Sequence, residues 1–425
     1  MTWLPKFVVC LSYYDRFRFR SDAFAALFLA LQIFPLAIAI AVATGVPPLY
    51  GVLCAATAGL LASVFGDSKI RVTAPNVVFV AVASSIVARE GILGLSLSTL
   101  LAGVLLVFFG ALGLGAGIRV LPRPVVIGFA TGIAVLVISQ QAPEILGVGS
   151  QIVAGRVLRA TLVRSPVQIE PHAMILAVAS LILTIACRVA SRHVPAALVA
   201  VITGALLVKF EHFPVRTVGS LFGPDLTSFH LPPAAALRLD LLGSILAQGF
   251  AIAVLVAVES LEAMGLAADL TGERFSSRGE LFVQGGVNVA SAFAGGLPVS
   301  GVSSRTLDNA RFGAQTPIAG ILQAVFLAVF LLLMTPLFRF IPLPVTSALI
   351  LSSVLGMAHW RKVLRLIDVP PVGAAAWVAT SLLTILTDLP LAIAVGMLIG
   401  VFIHIRKKPG MSTWEGAAGR DRPPG

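Results

Sequence analysis

Apolar runs long enough to cross a lipid bilayer recur along nearly the whole chain. The first, FAALFLALQIFPLAIAIAVAT over 24–44, contains no charged residue. A helix needs about 20 mostly apolar residues to span the hydrocarbon core. Lipid offers no partner to backbone N–H and C=O groups, so a chain built this way must satisfy them within itself, as helices or as a closed barrel. Composition agrees: 58% of the residues are hydrophobic and 12% are charged, against roughly 25% charged in soluble domains. The expected class is an all-α polytopic membrane protein. Its start, MTWLPKFVVCLSYYDRFRFRSD, sets Arg16, Arg18 and Arg20 ahead of the first run. That is a cytoplasmic anchor pattern, not a signal peptide with a small-residue cleavage site.

The formal net charge of +11 reads as the Lys and Arg excess of cytoplasmic loops rather than as a nucleic-acid surface. Cys10, Cys54 and Cys187 are far apart, with no metal-ligand or disulfide-framework spacing. The histidines form no metal motif. No nucleophile–base pair is visible, so neither an enzyme nor a cofactor is expected.

Fourteen spans are expected, at 22–44, 49–65, 75–88, 92–116, 125–143, 172–190, 194–210, 241–268, 280–294, 300–311, 316–337, 344–358, 371–387 and 389–405. An even count puts both ends on one side. Arg16, Arg18 and Arg20 at one end and Arg406, Lys407 and Lys408 at the other make it the cytoplasmic side of an inner (plasma) membrane. The short loops with Lys69/Arg71, Arg119/Arg123, Arg188/Arg192, Arg274/Arg278 and Arg361/Lys362/Arg365 then fall inside. The longer stretches 144–171 and 211–240 fall outside.

The third and tenth spans are too short to cross as plain helices, and both begin with Pro and small polar residues: KIRVTAP before one, GGLPVSG before the other. Interrupted spans at corresponding places in two halves are a pointer to a transporter binding site. A second correspondence supports a repeat: VLPRPVVIGF opens the fifth span and FIPLPVTSAL the twelfth, aligning Pro122/Pro124 with Pro342/Pro344. Seven spans per half, an odd number, invert the halves. The helical starts of spans three and ten then face each other near the midplane, each after a short extended segment.

A broken helix leaves unpaired N–H groups and partial positive charge at its start. Two such starts aimed at one point make an anion site. Pro75 and Asn76 supply one start; Pro75 suits a first helical turn, where its missing N–H costs nothing. Ser303, Ser304 and Arg305 supply the other, with Thr306 adjacent. Asp308 is expected to pair with Arg305 or Arg311 as a structural ion pair. Glu259 lies in FAIAVLVAVESLEAMGLAADL, and an intramembrane carboxylate is a functional candidate by default. Glu262, three residues on, shares its helix face. Two neighbouring carboxylates in a low-dielectric place cannot both ionise cheaply, which suits a proton carrier. Against this, Glu259 lies about 27 Å from Leu241 at about 1.5 Å per residue, near enough to the inner interface to be merely solvated. Asp269 is expected to end the helix there.

These segments resemble the sulfate permease (SulP, solute carrier 26) family of anion transporters, from about residue 20 to 408. PLAIAIAVATGVPPLYG, FGDSKIRVTAPNVVFVAV, the long stretch from VAVESLEAMG to ARFGAQTPIAGI, and LLTILTDLPLAIAVGMLIGVF are each similar to a family segment. The resemblance implies the inverted repeat, in a fold shared with nucleobase transporters. It implies a core domain (spans 1–4 and 8–11, within 21–116 and 241–337) and a gate domain (spans 5–7 and 12–14, within 124–211 and 342–407). It also implies elevator-like movement and a homodimer. Carried over by position, Ile40, Pro75, Asn76, Ser304 and Arg305 face the anion, and Glu259 is the acidic residue of span eight. Ala74 departs from the usual Gly. Ala263 stands where a hydroxyl residue would support a sodium site of the bicarbonate-transporter kind. After Lys408 the sequence PGMSTWEGAAGRDRPPG is too short and polar to form the family's C-terminal STAS domain. The expectation is a membrane domain without it, with 1–20 as a cytoplasmic N-terminus and 409–425 as a disordered tail.

The expected function is proton-coupled symport of a small anion such as sulfate, bicarbonate or a dicarboxylate, with the bilayer, protons and a second copy as partners. Exchange or channel-like conduction stays open. So do a nucleobase:proton symporter, kept alive by Asn76 and Glu259, and a non-transporting scaffold or motor that only senses anions.

Overall fold

The computed structural model describes residues 5–115, 123–148, 170–191, 194–211, 213–226, 242–357, 371–387, 391–392 and 395–396. Most of the expected last span, Pro122, the loop residues Arg119, Arg192, Arg361, Lys362 and Arg365, Arg406–Lys408, the interiors of the two long outer stretches and the tail lie outside the described residues.

A short helix, Lys6–Leu11, precedes α1, Arg16–Thr44. Asp15 caps α1 by accepting from the Arg18 N–H at 2.8 Å, which satisfies one of the unpaired amides of the first turn. The helix therefore starts at Arg16, six residues before the expected span, and carries the three arginines in its first turns instead of ahead of it. Next come α2, Pro48–Phe65, with Pro at its first turn, and the strand β1, Thr73–Pro75. A 3₁₀ turn, Val77–Phe79, leads into α3, Val80–Leu112. Gly91 breaks α3 with φ 73° and ψ −175°, a region open to glycine alone. The third and fourth expected spans are thus two helices joined end to end at one glycine, with no loop between them.

The chain continues through α4 (Arg123–Ile145), α5 (Pro171–Ala190), α6 (Ala196–Glu211), α7 (Leu242–Thr271) and α8 (Ser277–Ala294). Pro124 of the repeated P-x-P lies in the first turn of α4, as Pro344 does in α11. The strand β2, Val299–Gly301, then leads into α9, Ser303–Arg311. The last described helices are α10 (Ile318–Met334, continued by a 3₁₀ turn Thr335–Phe340), α11 (Leu343–Met357) and α12 (Pro371–Leu386).

Among the described residues seven helical segments are long and apolar enough to cross a membrane, from Arg16–Thr44 to Ile318–Phe340, and Leu343–Leu355 and Gly373–Leu386 are shorter apolar helices. The protein is a multi-pass helical membrane protein. Val189 and Leu332 are 83% and 80% exposed; in water such an outer surface would be a liability, whereas in lipid it is the solvated one.

Two packing groups are evident. In one, α3 lies along α7 and α8, while α10 packs on α1 and α2. In the other, α4 packs on α11 and α12, and α5 on α6 and α11. Contacts of α1 with α6 and α11 join them. The α3–α8 seam is glycine-lined: a Cβ at Gly103 would sit 2.8 Å from the Gly285 carbonyl oxygen, and one at Gly285 2.8 Å from that of Gly103. Small residues of this kind let membrane helices approach where no hydrophobic effect drives them together.

Arg71 departs from expectation. The sequence places it with Lys69 in a short inner loop, yet its side chain is 1% exposed and pairs with Glu280 at 2.8 Å. It also donates to the Thr73 hydroxyl at 2.7 Å. The charge braces β1 from within the bundle.

Candidate functional site

Strands β1 and β2 pair antiparallel, Thr73 with Gly301, Ala74 with Ser300 and Pro75 with Val299. The Val302 N–H extends the pairing to the Val72 carbonyl at 2.9 Å. Each strand runs directly into a helix. An antiparallel pair therefore sends α3 and α9 away in opposite directions, each with its N-terminal end at the strand pair. Both strands are buried throughout.

Side chains hold this backbone in place. Asn288 of α8 accepts from the Val299 N–H at 3.0 Å and donates to its carbonyl at 2.9 Å, taking the place of a third strand. Ser260 of α7 accepts from the Gly301 N–H at 2.9 Å. At Gly301 a Cβ would lie 2.9 Å from that of Ala263, so β2 rests directly on α7. The Thr306 hydroxyl accepts from the Val72 N–H at 3.1 Å, and the Asn309 amide donates to the Ile70 carbonyl at 2.9 Å. Gln284 donates to Thr73 at 3.2 Å and to Glu280 at 2.9 Å, linking the strands to the Arg71 pair.

At the first helical start, the Asn76 side chain caps the turn by accepting from the Val78 N–H at 3.4 Å. Its amide nitrogen donates to Glu259 Oε2 at 3.0 Å and to the Ser300 hydroxyl at 3.4 Å. Pro75 lies in β1, just ahead of this cap. Glu259 is half-buried and Glu262, three residues on, is exposed. α7 continues two residues past Asp269 to Thr271.

At the second start, Val302 is the N-cap residue and supplies no side-chain acceptor. The first amides of α9 are thus left for another partner. Ser303 is half-buried and Ser304 exposed. Arg305 donates through Nη1 to Gln32 of α1 and to Asp308 at 3.2 Å, while its Nε is buried without a partner. The guanidinium is therefore tied to the scaffold on one side and carries an unspent donor on the other. Ile40 is 2% exposed and packs within the apolar core.

The structure thus joins Asn76 to Glu259 directly and Arg305 to Asp308, with Ser303 and Ser304 at the uncapped start. Gln32, Ser260, Asn288 and Ser300 were not among the expected site residues. Gln32 had a readable signal, as the one amide in the first apolar run; Ser260 is the neighbour of Glu259. Among the described residues no group of three or more His, Cys, Asp or Glu side chains forms a metal-binding arrangement.

A multi-pass bundle with two helices that start from a buried strand pair is the architecture of a broken-helix membrane transporter. The sequence profile of the Sulfate permease family matches residues 19–380, and the chain belongs to that family. YvdB of Bacillus subtilis (strain 168) is 29% identical over 402 residues, covering 93% of this chain and 75% of its own. The bicarbonate transporter BicA of Picosynechococcus is 28% identical over 407 residues, covering 91% and 70%. The solved transmembrane domain of a cyanobacterial BicA superposes with a TM-score of 0.80 at 25% identity, over 89% of this chain and 98% of that one.

Proposed function

We propose that this protein is a secondary transporter of a small oxyanion of the sulfate, bicarbonate or dicarboxylate class, working as a proton-coupled symporter. The observation that carries this reading is the uncapped start of α9 beside the strand pair. Three features meet there: free first-turn amides, the Ser303 and Ser304 hydroxyls, and the buried unpartnered Nε of Arg305. All are donors, and the helix dipole adds to them. Pro75 and Asn76 form the opposing start, and Ile40 lines the site from α1. Glu259 and Glu262 carry the coupling proton.

In this reading the chain crosses the membrane fourteen times as a seven-plus-seven inverted repeat, with both ends cytoplasmic in the plasma membrane. The two packing groups correspond to a core (within 21–116 and 241–337) and a gate (within 124–211 and 342–407). The core moves against the gate like an elevator, and the protein works as a homodimer. Membership of the Sulfate permease family and the likeness to BicA support an anionic substrate.

One observation favours a second reading. The Asn76 amide and the Glu259 carboxylate form an adjacent donor–acceptor pair at 3.0 Å, suited to the edge of a neutral heterocycle such as a nucleobase. Proteoliposome uptake separates the two. Labelled sulfate, bicarbonate and succinate should accumulate under an inward pH gradient, while uracil and xanthine do not. Glu259→Gln should abolish dependence on the gradient, and Ser304→Ala should weaken uptake at low substrate. Gradient-dependent uptake surviving in Glu259→Gln would overturn the coupling role, and nucleobase uptake without anion uptake would overturn the substrate class.

A further inference from the structure

A cavity of about 770 Å³ opens where α6 ends beside the 3₁₀ turn Thr335–Phe340, with Thr217, Gly219, Leu226 and Phe340 among its walls. The walls are fixed to one another. The Val218 N–H donates to the Ile341 carbonyl at 2.8 Å, and the Leu343 N–H to that of Arg216 at 2.9 Å. Gly219 is seated on Arg339, where a Cβ would come within 2.7 Å of the carbonyl oxygen.

Arg339 and Phe340 line this cavity, and Lys209 follows the lining residue Val208 at its edge. The Lys209 ammonium and the Arg339 guanidinium lie 5.8 Å and 4.7 Å from the centroid of the same ring, Phe340. Both side chains are exposed. Among the described residues neither has a carboxylate within ion-pair distance. Their attraction to one ring keeps both charges beside it, and among the described residues no carboxylate neutralises them. An anion seated between them would do so. Apolar surface runs down the same two helices toward the bilayer: Leu206 and Phe210 on α6, Leu332 and Leu333 on α10 are all exposed. A small soluble anion would use the charges and leave the apolar surface idle, whereas an amphiphile uses both.

We propose that this cavity binds one anionic phospholipid, its phosphate between Lys209 and Arg339 and its acyl chains along α6 and α10. The site lies at the ends of α6 and α10, apart from the strand pair, and does not depend on what the protein transports. Native mass spectrometry of detergent-solubilised protein, titrated with dioleoylphosphatidylglycerol, dioleoylphosphatidylcholine or inorganic phosphate, tests it. Wild type should retain phosphatidylglycerol in preference to phosphatidylcholine, and phosphate should not displace it. The double variant K209Q/R339Q should bind phosphatidylglycerol on the order of tenfold more weakly, since each basic group near a lipid surface contributes a several-fold factor. K209R/R339K, which keeps both charges, should bind as wild type does. The single variants K209Q and R339Q give the same reading, each with part of the loss, if the double variant does not fold. Unchanged lipid binding in the Gln variants overturns the proposal. So does equal loss in K209R/R339K, displacement by phosphate, or a change in dimer fraction in place of lipid occupancy.

Discussion

Arg305 ties one side of its guanidinium to the scaffold and leaves a buried donor unused on another. Nη1 is held by Gln32 and Asp308, while Nε is buried with no partner. Removing Asp308 and removing Arg305 should therefore differ. Asp308→Asn should lower the unfolding temperature and leave apparent substrate affinity within about twofold, as loss of one part-exposed pair costs at most about 1 kcal/mol. Arg305→Gln should weaken affinity on the order of tenfold or more, the scale of a charge-assisted hydrogen bond of about 1.5–3 kcal/mol. Uptake kinetics measure both; equal affinity losses would make Arg305 a brace only. Deeper in the bundle, Arg71 and Glu280 are 1% and 0% exposed. Glu280→Gln leaves a buried guanidinium uncompensated, and breaking such a pair typically costs about 3–5 kcal/mol. Replacing both with Met and Gln should cost less than either single change. Thermal unfolding followed by tryptophan fluorescence checks the order; a double variant worse than both singles would contradict the pairing argument.

At the scale of elements, helix positions were readable because lipid removes ambiguity: a long apolar run has little choice but to be a helix. The half-helix from Ser303 and the extended Val299–Gly301 before it followed from Pro and Gly punctuation in the same way. The antiparallel register of Thr73–Pro75 with Val299–Gly301 was not readable, since strands of three residues carry no alternation. The burial of Arg71 was hidden for a different reason. A lone arginine beside Lys69 looks like an interfacial charge, and its partner Glu280 stands more than 200 residues away. Gly91 was not singled out in the sequence; its φ of 73° is what gives it a role. A Cβ there meets nothing within 4 Å, so Gly91→Ala is a clean test of backbone conformation. It should lower stability by about 1–3 kcal/mol, the cost of holding a non-glycine residue in that region. An unchanged unfolding midpoint would mean that the break can relax into a straight helix. Gly103→Leu, by contrast, should disrupt the seam with Gly285 outright, because even its Cβ would sit 2.8 Å from the Gly285 carbonyl oxygen, the Val289 amide nitrogen and the Val289 side chain.

At the scale of the whole molecule, one charged cluster outside the membrane spans ties together segments far apart in sequence. Glu273, just after α7, accepts ion pairs from Lys69 at 2.9 Å and from Lys6 of the N-terminal helix at 3.4 Å. The Lys6 N–H also donates to the Gly66 carbonyl at 3.1 Å. Burial pushes the Glu273 carboxyl up, but the Lys69 hydrogen bond and the charges of Lys6 and Lys69 outweigh it and hold it below its ordinary value. The Lys69 ammonium is held above its own by the hydrogen bond it donates to Glu273. A lowered carboxyl stabilises the fold above the unfolded-state value of about 4.3, and that contribution is lost as pH falls through the folded value. A raised ammonium stabilises it below about 10.4, and that contribution is lost as pH rises through the folded value. The tie is therefore strongest between these limits and weakens at both ends. Asp67 beside it works in the opposite sense: burial holds its carboxyl above the ordinary value, so its ionised form costs stability near neutrality and part of the acid loss is offset. Subtracting the unfolding midpoint of Glu273→Gln from that of wild type leaves the tie and the lesser part of the Asp67 shift that the Glu273 charge itself causes. The difference should be positive from about pH 5 to pH 9, between the unfolded-state values of the two partners, shrink toward zero on acidification as pH falls through the lowered folded-state value of Glu273, and fall in 1 M salt, where the screening length drops to about 3 Å. A difference that is flat across that range, or indifferent to salt, would show that Glu273 acts by packing and that the N-terminal helix is held by its backbone bond to Gly66 alone.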